Sequence, residues 1–198
     1  MFSFQKPSYN DYQTVKIYPN EILFQKPERI IICGNSESGK TFLIENIVRC
    51  NHEKFHKIVI SGSGNKLLTF PETKDKTILY KPSHQNLTTS VGENEIFNPF
   101  DQLDDLNVGN SSSKQILLLY DDLMESIFKS KVISKLFSTG RHYNLSTLLI
   151  IQSFFPKYRG LDLSMQIKIN STIQIFMHSA PREIEYIASR LEYSTKNK

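Results

Sequence analysis

Residues 34–41 read Gly34-Asn35-Ser36-Glu37-Ser38-Gly39-Lys40-Thr41: a glycine, four residues, a second glycine, a lysine and a threonine. Glycines at that spacing let the backbone turn tightly, so that several N–H groups converge on one anion. Lys40 can reach the outer phosphates of a nucleotide, and the Thr41 hydroxyl can bind the magnesium ion they carry. Gly34, Asn35, Ser36, Glu37, Ser38, Gly39, Lys40 and Thr41 are therefore the candidate nucleotide-binding residues. The flanks agree with this. Ile30-Ile31-Ile32-Cys33 is a short apolar run of the kind that forms a buried strand. Leu43, Ile44, Ile47 and Val48 follow at helical spacing, out to about Cys50. The loop then opens a helix, whose N-terminal dipole and free amides favour negative charge.

A second apolar run, Ile116-Leu117-Leu118-Leu119-Tyr120, ends in Asp121-Asp122. A carboxylate at the end of a buried strand, in a chain with a phosphate loop, suits the Walker B role. Asp121 would hold magnesium, and Asp122 is placed to orient or deprotonate a water aimed at the γ-phosphate. The alternative is a pair of helix-capping aspartates. A third run, Leu148-Leu149-Ile150-Ile151, ends in Gln152-Ser153. A polar amide at the C-terminal edge of an α/β sheet lies at the ligand crevice, where Gln152 can bond the γ-phosphate or the attacking water. A plain loop residue is the alternative. Arg141, in Thr139-Gly140-Arg141-His142-Tyr143-Asn144, is the candidate arginine finger; a structural or DNA-contacting arginine stays open.

Further strands are expected at Lys57–Ser61, Ile78–Tyr80 and Thr172–Met177. Phe128, Val132, Ile133, Leu136 and Phe137 mark a helix stopped at Gly140, and another helix is expected from Pro181. Asn98-Pro99-Phe100-Asp101 could start a helix covering Gln102 to Leu106. Gly109–Ser113 reads as a flexible loop, and a short strand is expected near Glu21–Phe24. Apolar strands alternating with amphipathic helices imply a mostly parallel sheet covered by helices on both faces. Three segments are expected: an N-terminal arm over 1–27, a phosphate-loop domain over 28–192 and a basic tail over 193–198.

The chain has 198 residues, enough for one domain with a substantial core. Its hydrophobic fraction of 39% and charged fraction of 22% are ordinary for a globular chain, and no apolar run reaches the length of a membrane span. The N-terminus lacks an apolar h-region, so secretion and a membrane partner are not expected. Two cysteines, Cys33 and Cys50, make no disulfide framework. No His/Cys cluster has metal-ligand spacing.

The net charge of +4 is unevenly spread. Residues 1–125 carry 13 Lys/Arg and 16 Asp/Glu, whereas residues 126–198 carry 11 Lys/Arg and 4 Asp/Glu. The basic third includes Lys129, Lys131, Lys135, Arg141, Lys157, Arg159 and Lys168. A nucleic-acid surface and a solvated basic face are both compatible with it.

Together the motifs resemble those of viral genome-packaging ATPases of the FtsK–HerA superfamily, in the poxvirus-type branch found in large DNA viruses, virophages and polinton-like elements. GNSESGKT at 34–41, LLLYDDLM at 117–124 and STGRHYNLSTLLIIQSFF at 138–155 carry the resemblance. IKINSTIQIF at 167–176, with Asn170 at its polar position, extends it. The resemblance implies a three-layer P-loop NTPase of the ASCE type, using ATP and Mg2+. It implies a homo-oligomeric ring, a pentamer or hexamer, that moves double-stranded DNA at a capsid portal vertex. The setting would be the host cytoplasm at the site of virion assembly, or the virion itself. Arg141 of a neighbouring subunit would complete each site, and Lys157 and Arg159 are the first DNA-contact candidates. Members often have glutamate where this chain has Asp122, and the short C-terminal part implies translocation without cutting. The alternative from another class is a P-loop nucleotide kinase, whose acceptor pocket could lie in 62–114. A protein that keeps nucleotide only as a structural ligand is a third reading.

Overall fold

The computed structural model describes residues 24–62, 71–80, 96–103, 114–121, 123, 127, 130–153, 165–177 and 185. The first apolar run forms strand β1 (Arg29–Gly34), and the helix after the loop is α1 (Lys40–Asn51). Strand β2 (Phe55–Gly62) and the short β3 (Thr77–Tyr80) follow. Then come β4 (Gln115–Asp121), α2 (Lys131–Thr139), β5 (Leu145–Ile151), α3 (Met165–Asn170) and β6 (Ile173–Met177). The described strands build one six-stranded sheet in the order β3-β2-β4-β5-β1-β6, and every pairing is parallel.

Alternation along the strands decides which residue meets which helix. Ile30 and Ile32 share a core with Ile44, Ile47 and Val48 of α1. Ile31 and Cys33 point the other way, into a core with Ile133, Leu136 and Phe137 of α2 and Ile167 of α3. The sheet is therefore a central layer with α1 on one face and α2 and α3 on the other. Burial on both faces explains why β1, β4 and β5 read as unbroken apolar runs.

Ser130 starts α2: its hydroxyl accepts from the backbone N–H of Val132 at 3.1 Å and of Ile133 at 3.4 Å. Gly140 ends α2, its N–H donating to the Leu136 carbonyl, but it stays right-handed. The chain runs on through a 3-10 turn (Gly140–Tyr143), and Asn144 at φ 55° makes the left-handed exit. The expected helix from Asn98 to Leu106 is corrected to a single 3-10 turn, Pro99–Asp101. Asn98 does cap it, accepting from Phe100 N–H, but Gln102 at φ −132° leaves the helical region at once. Residues 104–106 lie outside the described residues, as do residues 21–23, the 109–113 loop and Pro181.

Residues 24–28 are tied under the N-terminal edge of the sheet by buried polar groups. The Gln115 amide donates to the Phe24 carbonyl at 2.9 Å. The Ser146 hydroxyl donates to Gln115 Oε1 at 2.5 Å and accepts from Glu28 N–H at 3.0 Å.

Candidate nucleotide site

Parallel pairing brings all the strand C-termini to one edge. In register, Cys33 lies beside Ile151, and Asp121 beside Ile150. The loop after β1, Gln152 after β5 and Asp121 at the end of β4 therefore stand side by side. The order β4-β5-β1 puts Gln152 between the other two, and neighbouring strands are about 4.8 Å apart. The loop and Asp121 are thus separated by roughly 10 Å at the backbone. Gln152 is exposed and Asp121 half-buried.

The loop is built to hold an anion. Gly39, at φ 88°, is the N-cap of α1 and brings no side chain to its first amides. Glu37 also sits in the left-handed region, at φ 64°. That conformation costs a non-glycine residue of order 1–3 kcal/mol, a strain typical of ligand-gripping loops. A methyl carbon at Gly34 would lie 2.1 Å from the Met177 carbonyl oxygen and 2.8 Å from Ser38 Oγ, so the first glycine is needed for close approach to β6. Ser38 Oγ is buried with no hydrogen-bond partner. The Lys40 ammonium donates to the carbonyls of Gly34 and Asn35, 2.6 Å from each, and so lies across the loop, within reach of the outer phosphates a nucleotide would place there. An unsatisfied hydroxyl, uncapped helix amides and a lysine over the loop fit a nucleotide polyphosphate. Thr41 is exposed at the first turn of α1. Among the described residues no three His, Cys, Asp or Glu cluster as a metal cage. This donor set fits Mg2+, which is commonly bound through one carboxylate, a hydroxyl and the phosphates themselves.

Arg141 lies at the other edge. It precedes β5, whose seven residues span roughly 20 Å before Gln152 is reached. It is exposed, and it does not join the phosphate loop of its own chain. Arg29, at the same edge, donates from Nη1 to the Phe137 carbonyl at 3.0 Å. Burial and then the Arg141 charge pull the Arg29 pKa down, partly offset by Glu28. The two guanidinium groups therefore stand near each other on this edge. Asn144, the last residue of the Gly140–Asn144 motif, has a structural use: besides its left-handed turn, its amide donates to the Lys114 carbonyl at 2.9 Å.

The basic third is only partly a surface. Lys168 is 8% exposed, and Lys135 lies 4.0 Å above the Phe100 ring. Lys168 is thus corrected from a solvated basic residue to a buried one, because α3 packs that side of itself onto α2 and the sheet. Asn170, the last residue of α3, precedes β6 and so stands on the Arg141 edge. Asp122, Lys129, Lys157 and Arg159 lie outside the described residues. Neither cysteine forms a disulfide; Cys33 is buried and Cys50 exposed.

Phosphate loop, strand-end carboxylate and intervening glutamine strand on one edge of a parallel sheet define the class: a P-loop NTPase. The model of the poxvirus A32 protein family matches residues 15–198, and the chain belongs to that family. The resemblance read from its motifs to viral genome-packaging ATPases of the FtsK–HerA superfamily therefore holds. No curated protein gives a significant sequence match. Among solved structures, the chain is similar to the genome packaging NTPase B204 of Sulfolobus turreted icosahedral virus 2 in complex with AMP. The TM-score is 0.52 at 16% identity, covering 87% of this chain and 83% of that one. It is also similar to B204, the DNA-packaging ATPase of Sulfolobus turreted icosahedral virus, with a TM-score of 0.51 at 17% identity, covering 83% and 82%. These likenesses bear on the fold. The family match does not favour the nucleotide-kinase alternative.

Proposed function

We propose that the protein is the subunit of a homo-oligomeric ring ATPase that drives double-stranded viral DNA into a preformed capsid. The observation that carries this reading is the split of the candidate residues between two sheet edges. Lys40, Thr41, Asp121 and Gln152 share one edge, and Arg141 stands about 20 Å away on the other. A ring of head-to-tail copies brings such opposite faces together. Arg141 of one subunit then meets the γ-phosphate held by the next.

In this reading Lys40 neutralises the outer phosphates, and the Gly34–Thr41 amides hold the chain of phosphates in line. Thr41 and Asp121 would hold Mg2+, which supplies charge neutralisation when bound. Asp122 takes the proton of the attacking water, and Gln152 orients that water. Lys157 and Arg159 contact DNA phosphates without reading sequence. The work is done at the capsid portal vertex, in the host cytoplasm where virions assemble.

The test is ATP turnover by the assembled protein with and without double-stranded DNA, across a salt series. DNA is expected to stimulate turnover, and stimulation should fade as salt rises. Lys40→Ala should abolish it. Turnover that ignores DNA at every salt concentration contradicts the motor reading.

A further inference from the structure

Phe42 is the most exposed large apolar side chain among the described residues, with 73% of its surface open. It is the third residue of α1, directly after Thr41. The helix buries Ile44, Ile47, Val48 and Asn51. At 3.6 residues per turn Phe42 falls on the opposite side, facing away from the core. Packing among the described residues gives no reason for a phenylalanine there. Along the helix, the Asn46 amide donates to the Phe42 carbonyl at 2.7 Å, and Arg49 donates to Asn46 Oδ1.

The loop fixes which part of a nucleotide comes near. The Lys40 ammonium, over the Gly34 and Asn35 carbonyls, marks the outer end of the phosphate chain. The first amide to close the helix is Leu43 N–H, on the Gly39 carbonyl at 3.0 Å. The Phe42 amide is the last before it, with no acceptor inside the helix. It therefore faces the inner phosphate. Ribose and base continue from that phosphate, and so leave the loop beside the Phe42 ring.

We propose that Phe42 is the platform on which the base of the bound nucleotide stacks. The inference rests on the nucleotide reading of the loop and adds the residue that holds the nucleoside half. A bare ring face offers no hydrogen bonds. It supplies affinity to any base, more to a purine than to a pyrimidine because the purine face is larger.

Calorimetric titration of the full chain with ATP, CTP and inorganic tripolyphosphate tests this. Phe42→Ala is expected to weaken ATP about ten- to hundredfold and to leave tripolyphosphate unchanged, with Phe42→Tyr behaving like wild type. Wild type should bind ATP more tightly than CTP, and the alanine variant should lose most of that difference. Because the side chain is exposed, the variant should melt like wild type. Unchanged ATP affinity in Phe42→Ala overturns the proposal, and so does an equal loss for tripolyphosphate. A variant that changes only its assembly state, by light scattering, also overturns it and assigns the ring to a subunit contact. Wild type binding tripolyphosphate as tightly as ATP removes the platform alone; wild type binding neither removes the nucleotide reading itself.

Discussion

Gly34→Ala should be the most damaging single methyl in the sheet. The added carbon would stand 2.1 Å from the Met177 carbonyl oxygen and 3.1 Å from its carbonyl carbon. Real Cβ atoms essentially never come within 3.0 Å of such neighbours, so something must move by at least about 0.9 Å. Neither neighbour yields easily, because Met177 backbone is paired to Gly34 in the β1–β6 ladder. The other close atom is Ser38 Oγ, at 2.8 Å, inside the phosphate loop. Overpacking of this kind costs about 1–3 kcal/mol. For a chain of this size that lowers the melting temperature by about 2–12 °C. The same shift should weaken nucleotide binding, since the loop must open to admit the methyl. Gly140→Ala is the control: its methyl would meet nothing nearer than 3.6 Å, at φ −53°, and should be neutral or mildly stabilising. Thermal unfolding by circular dichroism, with and without ATP, compares the two. A Gly34→Ala protein that melts within about 1 °C of wild type and binds ATP equally well refutes the close-approach argument.

Three further outcomes are expected. Glu37→Gly should raise stability by about 1 kcal/mol, by releasing the left-handed strain at φ 64°, and a chemical denaturation midpoint would register it. Ser146→Ala should cost about 2–4 kcal/mol, because it leaves the Glu28 N–H and Gln115 Oε1 unsatisfied in a buried site; a loss under 0.5 kcal/mol would contradict the network. Burial pushes the Tyr120 phenol above its ordinary range, so the folded state favours the protonated form. Its contribution is full below about pH 10 and declines above it by about 1.4 kcal/mol per pH unit. The stability difference between wild type and Tyr120→Phe should therefore be flat from pH 7 to 9 and fall above 10. The phenol donates to the Phe97 carbonyl at 2.9 Å, so wild type should lead by about 1 kcal/mol on the flat part.

The strands were legible because both faces of the sheet are covered: Ile30–Cys33, Ile116–Tyr120 and Leu148–Ile151 had to be apolar throughout. The phosphate loop was legible because its glycines answer to backbone geometry, seen at Gly34 and Gly39. The strand order was not. Nothing in residues 145–151 says that they insert between β1 and β4, since any parallel strand with two apolar faces could stand there. The 24–28 strap was also hidden, because it depends on Gln115 meeting Ser146 across 31 residues. Lys168 looked like a surface cation until α3 turned it inward, and α3 itself, six residues long, is too short for a helical period to show. Nothing in the apolar pattern of α1 marks Phe42, and only its 73% exposure sets it apart.

The central claim is that each site is completed by the next subunit, and subunit mixing tests it most directly. Lys40→Ala and Arg141→Ala proteins should each be inactive alone in DNA-stimulated ATP turnover. Mixed in equal amounts and allowed to exchange, about one interface in four joins an intact loop to an intact Arg141. The account predicts that turnover returns to roughly that fraction of wild type. A mixture that stays as inactive as its parts, in rings shown to contain both subunits, contradicts it.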